Sequence, residues 1–176
     1  MTNAELITIF GEWTTTLVND ATALRGAVES AATPREAKRY LLGGLSYLLR
    51  KIDIVPDYLA GVGVVDDCFV LRLSAKLALE AGLEDAGAVK ALAGSCSPIE
   101  EFLGDMYPKL LSMVKGFAEE TVRGRTPDKM IDEKEAFAQF LRELHDELSS
   151  YAPKPISDPE RASRDLKSFL KAKLDK

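Results

Sequence analysis

Apolar positions recur at intervals of three and four along almost the whole chain, and nowhere do apolar and polar residues alternate as a half-buried strand requires. Behind Pro34 the apolar set is Ala37, Tyr40, Leu41, Gly44, Leu45 and Leu48. Behind Pro98 one stripe collects Ile99, Phe102, Leu103, Met106, Leu110, Met113, Val114 and Phe117. Phe137, Phe140, Leu141, Leu144 and Leu148 form a third stripe, and Ala162, Leu166, Phe169 and Leu170 a fourth. Each is the buried face of an amphipathic helix. Residues 4–30 are helical in character too, although their threonines and Gly11 dilute the pattern, and Gly82 and Gly94 bracket a short helix over 85–93. The pattern predicts an all-α fold: one helical domain over 1–176, of about six to eight helices. It contains an aspartate-rich helix-loop-helix hairpin at 34–82, and 155–176 form a C-terminal helical arm behind the Pro153-Lys154-Pro155 turn.

Helix starts are marked in the same way four times, by Thr33-Pro34, Ser97-Pro98, Thr126-Pro127 and Asp158-Pro159. A capping side chain precedes a proline whose missing N–H costs nothing in a first helical turn. Thr33 and Ser97 are each followed three residues later by a glutamate, Glu36 and Glu100, so both predict a capping box. Pro108 interrupts the second stripe and predicts a kink or break near Tyr107. Gly43-Gly44, inside a helix, predicts a close helix crossing and not a phosphate cradle, which needs a helix N-terminus.

The densest chemistry lies at 47–67, Y-L-L-R-K-I-D-I-V-P-D-Y-L-A-G-V-G-V-V-D-D, where Asp53, Asp57, Asp66 and Asp67 join two apolar helices. Backbone demands account for all four. The helix from Pro34 ends near Ile52, because Pro56 pushes Val55 out of the helical region. Asp53 is placed to cap a turn at 54–57, accepting from the Val55 N–H. Gly61 and Gly63 let the chain turn, and Asp66 and Asp67 fall at the positive end of the next helix. A functional reading competes. The hairpin gathers carboxylates that suit Mg²⁺, Mn²⁺ or Ca²⁺, with Asp53, Asp57, Asp66 and Asp67 as candidate ligands. Asp66 and Asp67, about 100° apart on a helix, do not serve one ion together.

This segment resembles the signature of the YkvA-like family, domain of unknown function 1232, whose usual form is Y-L-x-x-P-I-D-x-I-P-D-x-I-P-x-x-G-x-x-D-D. The matching residues are Tyr47, Ile52, Asp53, Pro56, Asp57, Gly63, Asp66 and Asp67, within a resemblance over about 40–79. Arg50-Lys51 replaces the usual small residue and proline, and Ala60-Gly61 the usual proline region, making the first turn more polar and the second more flexible. The resemblance implies no established activity. Some relatives carry membrane-spanning or membrane-associated segments, which adds a membrane-surface reading, with Arg50 and Lys51 flanking an apolar helix end.

Composition narrows these readings. The chain has 176 residues, 46% hydrophobic and 29% charged, as a globular domain does. Its net charge of -5 argues against a nucleic-acid partner, which needs a basic stripe, and against attraction to anionic lipid. Cys68 and Cys96 lack C-x-x-C spacing and sit among apolar residues, so buried inert thiols are expected, with a single disulfide as the alternative. The N-terminus lacks a signal-type pattern. The longest apolar stretch, 40–49, is half a membrane span and is closed by Arg50, Lys51 and Asp53. A reduced, cytoplasmic protein is the expectation. His145, the sole histidine, has neither H-E-x-x-H nor E-x-x-H spacing and reads as a surface or boundary residue. Trp13 and Tyr151 read as isolated aromatics, without a cage or stacking array. No catalytic residue is assigned and no cofactor is expected beyond the candidate cations. The favoured reading is a noncatalytic helical module that binds a protein partner or itself. The alternatives are a divalent-cation site, potentially hydrolytic, and peripheral membrane association.

Overall fold

A computed structural model describes residues 1–50, 62–84 and 87–176. Among the described residues six helices have ten residues or more: α1 (Asn3–Glu29), α2 (Arg35–Tyr47), α3 (Val65–Glu80), α6 (Tyr107–Gly116), α8 (Lys134–Ser149) and α9 (Pro159–Leu174). Three shorter ones join them: α4 (Ala88–Gly94), α5 (Ser97–Leu103) and α7 (Pro127–Asp132). The all-α expectation is borne out. The longer helices meet the expected number, α4 lies where the short helix over 85–93 is expected, and α7 follows the Thr126-Pro127 start. Among the described residues the sole β feature is an isolated bridge between Val122 and Arg125.

α3 is the axis of the domain. Every residue from Val65 to Ala78 except Lys76 is buried, because α1, α2, α4 and α6 all pack against it. Phe69, Val70, Leu73 and Leu77 point into one core cluster, with Phe10, Phe102 and Leu166. Cys68, Leu71, Ala75 and Ala78 point into a second, with Leu24, Leu41 and Phe140. A helix apolar on all sides belongs in the middle. α1 is long enough, about 40 Å, to serve both clusters, Leu6, Ile7 and Phe10 in the first and Leu17, Ala21 and Leu24 in the second.

α2 meets its neighbours through Gly43 and Gly44. A Cβ on Gly43 would stand 2.8 Å from the Phe117 carbonyl carbon and 2.9 Å from the Ala118 nitrogen; one on Gly44 would stand 2.7 Å from the Ser74 Cβ. The expected close crossing is therefore present twice, against the 117–118 backbone and against α3.

The helix-start signals separate into two groups. Thr126 accepts from the Lys129 N–H and Asp158 from the Arg161 N–H, as expected. A capping box also forms at Thr2 and Glu5. Neither box predicted at Thr33 and Ser97 forms. The Thr33 hydroxyl donates instead to the Ala27 carbonyl at 2.6 Å, fastening the α1–α2 turn, and Glu36 pairs with Arg39. Ser97 is itself in the first turn of α5, because the preceding Cys96 is already helical (φ -81°, ψ -17°) and lacks the extended geometry a cap needs. The break expected near Tyr107 lies at 104–106, a 3₁₀ turn opened by Gly104 at φ +52°. Pro108 then falls in the first turn of α6, where it is tolerated. α2 ends at Tyr47, short of Ile52, as the Leu48, Leu49 and Arg50 N–H groups switch to bonds three residues back.

The candidate site at the α2–α3 junction

The end of α2 and the start of α3 are joined by a buried polar contact. The Tyr47 hydroxyl donates to Asp66 Oδ2 at 2.5 Å, and each residue is only 1% exposed. The Tyr47 ring stacks on Phe117, with centroids 5.3 Å apart and planes 17° from parallel. The Arg50 guanidinium lies 4.3 Å from the Phe117 centroid and 5.6 Å from that of Tyr47, and pairs with Glu120. Such a cation over two rings shields their faces while keeping its charge at the surface. Phe117 is in position because Gly43 lets its backbone approach.

The same corner receives a second arginine. Arg123 occupies the left-handed region (φ 50°) at a tight turn closed by the Val122–Arg125 bridge, a conformation costing a non-glycine residue about 1 kcal/mol. Its Nε donates to the Leu49 carbonyl at 3.2 Å, satisfying an acceptor that the end of α2 leaves open. Arg125 and Arg123 both reach Glu143 of α8. The segment 117–125 thus clamps the chain where it leaves α2.

The four aspartates are therefore not equivalent. Asp66 faces Tyr47 and the first core cluster. Asp67, also buried, lies on the side of Cys68 and Tyr151: burial pushes the Tyr151 phenol above its ordinary value, with Cys68 and then Asp67 adding to the effect. The phenol donates to the Thr14 carbonyl at 2.7 Å. The two adjacent acids diverge, as the 100° step requires. Gly63 is buried in the turn leading into α3. Asp53, Pro56 and Asp57, and the turn proposed for 54–57, lie outside the described residues. Among the described residues no group of three or more His, Cys, Asp or Glu side chains could hold a metal ion.

Sequence reasoning passed over Arg72. It lies within α3, 4% exposed, and pairs with Asp20 Oδ2 of α1 at 3.3 Å. Its guanidinium sits 3.9 Å from the Trp13 ring centroid, and its Nε donates to Ser95 Oγ at 3.1 Å. Burial lowers the guanidinium's pKa, while Cys68 and Asp20 oppose the shift. The available signal was one arginine inside the apolar stretch 68–73, which must find an acid to be buried at all. Trp13 is accordingly not isolated, since Phe10 and Phe69 also lie against it, with centroids at 5.2 and 6.3 Å. Cys68 and Cys96 are free and buried; burial pushes the first well above its ordinary value and the second to about 11, so both remain thiols at neutral pH. His145 is exposed on α8. No helix among the described residues is long and apolar enough to cross a membrane.

Comparison with known proteins places the junction in a family segment. Residues 37–73, which comprise most of α2, the aspartate loop and the first half of α3, match the family model described as "Protein of unknown function (DUF1232)". The match agrees with the resemblance carried by Tyr47, Gly63, Asp66 and Asp67, and it covers a part of the chain. Neither a curated protein nor a solved structure matches the chain.

Proposed function

We propose that the protein is a noncatalytic helical interaction module, whose α2–α3 junction is a rigid scaffold presenting the intervening loop to a protein partner or to a second copy. The observation that carries this reading is the Tyr47–Asp66 contact at 2.5 Å, in which a carboxylate of the family motif is buried in the core as an acceptor. A group so placed orients the loop's exit from α2 and entry into α3. The Arg50–Phe117 stack and the Arg123 bond to Leu49 support the same role, holding the other end of the crossing.

Thermal melting in chelator, then with Mg²⁺, Mn²⁺ or Ca²⁺ added singly, tests the reading against a cation site built from Asp53, Asp57 and either Asp66 or Asp67. Asp66→Asn lowers the melting temperature of the metal-free protein, and no ion raises that of the wild type. An ion at a hundred times its dissociation constant would add about 2.7 kcal/mol. A rise of that order, absent in Asp57→Asn, would overturn the reading and make the loop a metal centre.

A further inference from the structure

The C-terminal helix is attached in a way that separates its tether from its seat. The tether is the nine-residue strap 150–158 between the end of α8 and the start of α9. Residues 152–155 are exposed, and among the described residues no backbone–backbone hydrogen bond involves 152–157. Two side chains anchor the strap: Tyr151, whose hydroxyl donates to the Thr14 carbonyl, and Ile156, whose Cδ1 lies 3.5 Å from where a Cβ on Gly11 would stand. Elsewhere it stands off α1, and a cavity of about 410 Å³ lies between Pro153, Pro155 and the Thr8–Gly11–Thr15 face.

The seat is a separate surface. Leu166, Leu170 and Leu174 pack in one cluster with Leu6, Ile7 and Phe10 of α1 and its neighbours. Pro159 lines a groove with residues 7–15 of α1 while Lys167 Nζ reaches Asn3 Oδ1 at 3.1 Å, so the two helices run antiparallel. At the far end Lys109 Nζ meets Asp175 Oδ1 at 2.6 Å, on the surface.

We infer that α9 is an exchangeable arm, and that the partner it reaches is the same seat on a second copy of this chain, so that two chains trade C-terminal helices. In the exchanged dimer every contact between α9 and its seat is remade across the pair, leaving the strap's path and the entropy of association as the difference between the two forms. Pro153 and Pro155 hold φ near -65° and favour an extended strap over a folded-back one. Fully extended, the ten Cα steps from Ser149 to Pro159 reach about 35 Å. In the closed monomer the short strap keeps the arm at an effective concentration of the order of millimolar. The chain is therefore monomeric at micromolar concentration, and exchange emerges when closure is blocked or the protein is concentrated. The inference does not rest on the reading of the aspartate loop.

Deleting 151–157 tests it. The deletion retains the Asp158 cap but leaves three Cα steps between Ser149 and Pro159, a reach of about 11 Å. Ser149 lines one groove with residues 18–25 of α1 and Pro159 another with residues 7–15, so the strap passes along some ten residues of α1, or about 15 Å. Light scattering is expected to give twice the chain mass for the deletion variant at micromolar concentration and the single mass for wild type, and adding Leu170→Glu to the deletion restores the single mass. A helical, monomeric deletion variant overturns the inference, as does a dimer that survives Leu170→Glu. Should the deletion variant fail to fold, wild type heated into its transition and cooled at millimolar concentration serves instead. It is expected to yield a dimer that reverts to monomer on dilution and warming and that Leu170→Glu does not form; recovery of monomer alone overturns the inference.

Discussion

The α2–α3 junction and the α1–α9 pairing both bury helix against helix in the same core, yet they are specified in different ways. At the first, Gly44 lets α2 close on Ser74 of α3, Gly43 admits the 117–118 backbone on the other side, and the buried Tyr47–Asp66 hydrogen bond ties the two helices. Shifting α2 by one residue would put a side chain where Gly44 faces Ser74 and would separate Tyr47 from Asp66. At the second, a leucine stripe meets an apolar face and the polar contacts, Lys167 to Asn3 and Lys109 to Asp175, lie at the surface. Close approach combined with a buried polar pair allows a single arrangement, whereas a stripe of leucines supplies affinity that a second chain can use equally well.

Substitutions can break this contrast at either end. The largest effect is expected at the arm: Leu170→Ala removes about 2–5 kcal/mol, but as a local loss. Proteolysis at 152–157 accelerates while the α3 amides keep their protection from hydrogen exchange. Gly43→Ala acts globally. Its Cβ would meet backbone at 2.8 Å, so the 117–118 segment must move, and the midpoint of urea unfolding falls by the equivalent of about 3 kcal/mol. Tyr47→Phe deprives a buried carboxylate of the phenol and costs about 2 kcal/mol, read from the same denaturation curve. Gly11→Ala sharpens the contrast by reversing the sign. Its Cβ would make only ordinary contact, 3.5 Å from Ile156 Cδ1, and the gain in helix propensity stabilises by up to about 1 kcal/mol.

The smallest effect is pH-dependent. Lys109 holds the Asp175 carboxyl below its usual value. This contribution to arm docking is complete above the unfolded value, near pH 4, and is lost as pH falls through the lower folded one. Strap proteolysis by an acid protease should therefore rise below about pH 4, and should rise less in Lys109→Gln.

How much of this was legible in the sequence depended on whether the cause was local. Thr126, Asp158 and Pro108 act within one helical turn, and the structure places caps and a break where they point. The periodicity of α2, α8 and α9 likewise needed nothing beyond the chain itself. Thr33 and Ser97 carry equally good local signals, but the Ala27 carbonyl and the helical entry from Cys96 supply competing geometry. The early end of α2 has the same origin, with Arg123 approaching from seventy-four residues away to take the Leu49 carbonyl. At the candidate site, Gly43-Gly44 and the divergence of Asp66 from Asp67 followed from helix geometry alone. Tyr47 as the partner of Asp66, and Asp20 as the partner of Arg72, did not, because each pair joins two helices whose relative placement no periodicity encodes.

Native-state hydrogen exchange of the wild-type chain in chelator tests the central contrast most directly. The account predicts that amides of α3 from Phe69 to Ala78 exchange only through global unfolding, with a free energy that follows urea with the full denaturation slope. Amides of α9 should exchange through a smaller, nearly urea-independent opening that leaves α3 protected. If α9 and α3 share one free energy and one slope, the arm is an inseparable part of the core and the contrast between the two junctions is wrong.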